Sequence, residues 1–124
     1  MLDLAGTGVT DAGLVHLRRL SKLEWLNLSC TGVTNAGLGH LKELRHLEWL
    51  SLTKMKVTDT GLGLLKDLTR LEELVLTGTK IRDAGLVRLS DLARLRYVSV
   101  VDTKVTDAGI MKLQKLLPKC EIEH

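Results

Sequence analysis

The chain has 124 residues, the size of one domain, and a formal net charge of +3, too small to name a partner until it is mapped onto faces. Its apolar content is mostly leucine, with no Phe and a single Pro. No segment approaches the roughly 18 apolar residues of a membrane-spanning helix, and no apolar stretch follows Met1, so a cytoplasmic location is expected.

The elements follow in a fixed order. Leu2 and Leu4 alternate with polar neighbours as a short strand, and Leu14, Leu17 and Leu20 form a helical row. Leu26 and Leu28 then mark a second strand, and Leu38, Leu41 and Leu44 a second helix, predicted to run about ten residues. Thr34 or Asn35 is expected to supply the capping oxygen for its first amides. From there the order returns without a slip every 24 residues: Leu2, Leu26, Leu50, Leu74, Val98 and Ile122 are equivalent, as are Gly13, Gly37, Gly61, Gly85 and Gly109. A constant period of this length predicts a solenoid, in which each repeat buries its apolar face against its neighbours.

Residues 23–33 read LxxLxLxxTxV. This resembles the leucine-rich repeat, L-x-x-L-x-L-x-x-N/C-x-L, with Thr in the polar slot. Thr7-Gly8-Val9-Thr10-Asp11-Ala12-Gly13-Leu14 resembles the cysteine-containing repeats of F-box substrate receptors. It resembles more closely the T-x-V-T-D-A-G-L repeats of bacterial proteins. The resemblance implies one α/β domain over 1–124, about five repeats long. It would be a right-handed horseshoe-shaped solenoid with a parallel sheet on the concave side and helices on the convex side. A non-enzymatic protein-interaction module is the implied function.

The polar and glycine columns have structural explanations. Thr7, Thr31, Thr79 and Thr103 are predicted to bond backbone groups of the neighbouring coil, with Met55 breaking the column. A Cβ at the glycine column is predicted to strike the adjacent coil. Cys30 and Cys120 belong to the second and sixth turns, roughly 15–20 Å apart at one strand spacing per turn, so both thiols are expected to be free. The C-terminal segment 114–124, with Pro118 and alternating acids, is expected to cap the stack. At the N-terminus Leu2, Leu4, Leu14, Leu17 and Leu20 are expected to lie uncapped, to be covered by earlier repeats of a longer parent or by a homodimer joined end to end.

Function is expected on the strand face. Residues alternating with the buried leucines point outward in columns, and one column holds Trp25, Trp49, Glu73 and Tyr97, taking in all three aromatic residues of the chain. Exposed Trp and Tyr anchor binding hot spots. Glu24, Glu48 and Glu72 stand beside them, with Asn27, Ser29, Ser51 and Thr53 expected as a polar rim. The five helical segments carry 11 Lys/Arg against 3 Asp/Glu and the remainder 7 against 12, a split of +8 and −5. A protein partner, cationic where it meets the acidic face, is therefore expected. Two rivals stand beside it: a structural or self-assembling role, and anionic-polymer binding through the basic helices. Nucleic acid is not the expected partner, since Glu43, Asp67 and Asp91 interleave these cations and no aromatic residue is available there to stack bases. No cofactor, metal or catalytic residue is expected: His16 and His40 lack a third ligand, and Glu72 and Glu73 point in different directions.

Overall fold

A computed structural model describes all residues, 1–124. Six short strands, β1 (Leu2–Asp3), β2 (Trp25–Asn27), β3 (Trp49–Ser51), β4 (Glu73–Val75), β5 (Tyr97–Ser99) and β6 (Glu121–Glu123), form one sheet in chain order. Every neighbouring pair is parallel, and the register pairs each residue with the one 24 positions on: Leu26↔Leu50, Leu50↔Leu74, Leu74↔Val98. Behind the sheet lie α1 (Asp11–Leu14), α2 (Asn35–Leu38), α3 (Asp59–Gly63), α4 (Asp83–Leu86) and α5 (Asp107–Leu116). The result is the α/β solenoid that the period predicts. Its core is one continuous column of leucines, with Leu26, Leu50 and Leu74 fully buried.

The predicted ten-residue helix forms only in α5. In the first, second and fourth repeats a single α-turn passes into a 3-10 segment, Val15–Arg19, Gly39–Glu43 and Val87–Asp91. A 3-10 segment rises about 2.0 Å per residue against about 1.5 Å for an α-helix. Five such residues span the back of the coil quickly enough for the chain to return to the next strand within a 24-residue repeat.

The cap expectation fails in an instructive way. Neither Thr34 nor Asn35 caps α2; the polar residue that opens each of α1 to α4 reaches instead into the following repeat. Asp11 accepts from the Thr34 amide at 2.7 Å and its hydroxyl at 2.6 Å. Asn35 accepts from the Thr58 amide at 3.0 Å and donates to its hydroxyl at 2.7 Å. Asp59 accepts from the Arg82 amide, and Asp83 from the amide and hydroxyl of Thr106. These staples also explain the glycines. A Cβ at Gly37, Gly61, Gly85 or Gly109 would run into the Asp or Asn of the preceding coil, as predicted; at Gly13, in the first coil described, it would meet Val9.

The threonine expectation needs correction. Each hydroxyl bonds a carbonyl of its own coil three residues back: Thr7 to Leu4, Thr31 to Leu28, Thr79 to Leu76 and Thr103 to Val100, at 2.6–2.8 Å. Met55 loses nothing essential, because its own amide still donates to the Leu52 carbonyl at 3.2 Å while its side chain is buried in the core. A further column escapes sequence reading. Gly6, Cys30, Lys54, Gly78 and Asp102 share positive φ, 55–70°. An L side chain there costs about 1 kcal/mol or somewhat more. Lys54→Gly is therefore expected to raise stability by about 1 kcal/mol in urea unfolding, against a loss for Gly78→Ala.

The acid staples link stability to pH. The Thr106 hydroxyl and amide hold the Asp83 carboxyl below its usual 3.8. Burial alone would raise Asp11, but the hydroxyl and amide of Thr34 and the Gly37 amide outweigh it and lower it from the same value. A depressed folded-state pKa adds stability above the unfolded value, and this is lost as pH falls through the folded one. Asn35 already does this work without a charge. Asp83→Asn is thus expected to keep the fold at neutral pH and to flatten the loss of stability below about pH 4, measured by denaturant unfolding across that range.

The two ends differ. Near the C-terminus the Gln114 amide donates to the carbonyls of Leu117 and Cys120 at 3.2 and 2.9 Å, and β6 extends the sheet. Cys120 is buried, its thiol pushed up to about 11 by desolvation and then by Glu121, while Cys30 is exposed; both are free, as spacing requires. At the N-terminal end Leu14 and Leu17 are buried, against expectation, because the first coil packs directly on the second; Leu2 and Leu4 are half-buried, and Leu20 is 44% exposed.

Candidate interaction surface

The alternation in β2 and β3 turns Leu26 and Leu50 into the core and Trp25 and Trp49 outward, and parallel pairing sets the two indoles side by side. Their rings stack with centroids 4.3 Å apart and planes 7° from parallel, both half-buried. Such a pair contributes about 0.5–1.5 kcal/mol beyond its buried area. The pair leaves both indoles partly exposed. The column continues in register through Glu73, Tyr97 and Glu121.

Tyr97 is held by its hydroxyl, which donates to the Glu123 carboxylate. That bond raises the Tyr97 pKa and lowers that of Glu123. Glu121 and Glu123 thus belong to the same face as well as to the cap; the 24-residue register, Tyr97 to Glu121 and Ser99 to Glu123, is the signal in the sequence that places them there.

The other expected residues divide. Glu24 is exposed and Glu48 half-exposed, neither in an ion pair. Glu72 is engaged instead by Arg94 at 3.7 Å and Arg96 at 3.6 Å, so its charge is shared with the chain's own guanidinium groups. Exposed pairs of this kind stabilise by about 0–1 kcal/mol. The polar rim turns largely on itself. Asn27 Oδ1 accepts from the Ser29 amide and hydroxyl, Ser29 Oγ bonds Ser51 Oγ at 2.7 Å, and Ser51 Oγ bonds Thr53 Oγ1 at 3.1 Å. Ser51, only 4% exposed, is no rim residue; its small side chain lies beneath its larger neighbours. The rim is a hydroxyl ladder that tiles the sheet.

Beyond Trp49 the face opens into a cavity of about 500 Å³ lined by Glu72, Glu73, Arg96, Tyr97, Lys119 and Glu121. On the opposite side the eleven helical Lys and Arg residues are exposed. His16 and His40 are not joined there: Arg18 donates to His40 Nδ1 at 2.8 Å across one coil. No helix is long and apolar enough to cross a membrane.

Comparison with known proteins agrees with this architecture. The family described as "Leucine Rich repeat" matches residues 68–90. No curated protein sequence matches the chain. Among solved structures, internalin C2 of Listeria monocytogenes is similar over 98% of this chain and 50% of its own, at 29% identity and a TM-score of 0.75. A Leptospira interrogans leucine-rich-repeat protein is similar over 89% and 27%, at 24% identity and 0.68. Internalin F of Listeria monocytogenes is similar over 98% and 39%, at 15% identity and 0.62. The chain therefore spans half or less of these structures, and the two less identical ones bear on fold alone. Repeats of this kind typically bind protein partners rather than catalyse reactions. The unbroken 24-residue register and the leucine column give the chain the leucine-rich-repeat fold that these likenesses share.

Proposed function

We propose that the strand face binds a segment of a partner protein, with the Trp25–Trp49 stack as anchor and Glu24, Glu48 and Glu73 favouring a cationic partner. The observation that carries this reading is the stack itself: two adjacent, partly exposed indoles held parallel on the strand face. Large rigid aromatics at the centre of a surface supply contact area at low entropic cost. The basic helix side is a weaker candidate, because Glu43, Asp67 and Asp91 interleave its cations.

The test is affinity capture from source cells followed by titration of the isolated partner. A Trp25→Leu/Trp49→Leu variant, checked for intact folding by circular dichroism, is expected to bind about thirtyfold or more weakly. Unchanged affinity would remove the strand face as the site and turn attention to the helix-side Lys and Arg residues.

A further inference from the structure

We infer that the position between Trp49 and Tyr97 is a subsite for a guanidinium group, the side chain of an arginine in the bound segment. This deepens the reading above and rests on it. Because the indoles of Trp25 and Trp49 stack along the column, their ring normals run with it, and the face of Trp49 turned away from Trp25 looks toward the position of Glu73. Tyr97 follows one strand further on. Two strand spacings separate Trp49 from Tyr97, about 9.6 Å. A cation seated at the outer end of the Glu73 side chain would lie about one strand spacing from each aromatic position, within the roughly 6 Å over which an aromatic face attracts it.

Between the two aromatics stands Glu73, exposed and in no ion pair, as is Glu121 on the far side of Tyr97. The cations native to the cavity do not take the position. Arg96 is directed to Glu72, and Lys119 makes no ion pair with Glu73 or Glu121. Tyr97 is fixed by Glu123, which keeps its ring in place without a ligand. A planar guanidinium suits this arrangement better than an ammonium, since it stacks on an indole while its edge donates two hydrogen bonds to one carboxylate.

The chain has only two indoles, so indole N–H resonances report the site directly. N-acetyl-arginine methylamide is the probe, and N-acetyl-citrulline methylamide is its neutral isostere. The arginine probe is expected to shift the Trp49 resonance saturably, with about tenfold weaker binding for Glu73→Gln and for the citrulline compound. Equal binding of both compounds, indifference to Glu73→Gln, or no saturable shift would overturn the subsite. Failure of the two readings can be told apart. If the Trp25→Leu/Trp49→Leu variant loses the partner while the probe shows no Glu73-dependent binding, the face stands and the subsite falls. If the probe binds through Glu73 while the partner ignores both indoles, the subsite is real and the proposed face is not the partner's site.

Discussion

Gly85→Val is expected to destabilise the protein by about 3 kcal/mol. A Cβ on Gly85 would come within 2.8 Å of the Asp59 Cα and closer still to its carboxylate. That carboxylate cannot simply swing aside, because it accepts the Arg82 amide at 2.7 Å. The clash therefore falls on backbone and on the link between two coils. Gly39 provides the control. It has helical φ and ψ of −60° and −25°, and an added Cβ meets nothing within 4 Å. Gly39→Ala is expected to stabilise by about 0.5–1 kcal/mol, mainly by restricting the unfolded chain. Thermal and urea unfolding of the two variants should move in opposite directions. A Gly85→Val protein as stable as wild type would dismiss the packing account of the glycine column.

Leu74→Ala is expected to cost about 3–5 kcal/mol, and Leu2→Ala distinctly less. Leu74 is fully buried at the middle of the sheet, between Leu50 and Val98, whereas Leu2 lies half-buried on the end strand with one strand neighbour. In a solenoid stability is a sum of repeat and nearest-neighbour terms, so a central cavity weakens two interfaces and an end cavity one. The central variant should also broaden the unfolding transition as the two halves uncouple. Equal losses at both positions would argue for a globally shared core instead.

Much of this was legible because a solenoid repeats its own physics. The spacing of Leu26, Leu50 and Leu74 and the recurrence of glycine state the coil length and its register directly, and alternation about Leu26 and Leu28 assigns the outward column that holds both indoles. Where reading failed, the partner lay in another repeat or the backbone had a choice of its own. Asn35 looks like a cap for its own helix, since Asn commonly is. Only the stacked coils reveal that it serves the next one, as Asp11 does in the coil before. Ser51 looks like an exposed hydroxyl on a strand, and its burial depends on what stands beside it.

The coil, its 24-residue register and the face on which aromatic and acidic residues gather are legible along one chain, because each follows from periodicity. Stacking of the coils set the rest. It turned the expected helices into α-turns with 3-10 tails, so that each coil closes within its repeat. It gave Glu72 to Arg94 and Arg96 and Glu123 to Tyr97, leaving Glu73 unpaired between Trp49 and Tyr97. Which charge is spent and which remains free is settled by distances between coils, and a periodic sequence does not state those distances for its side chains.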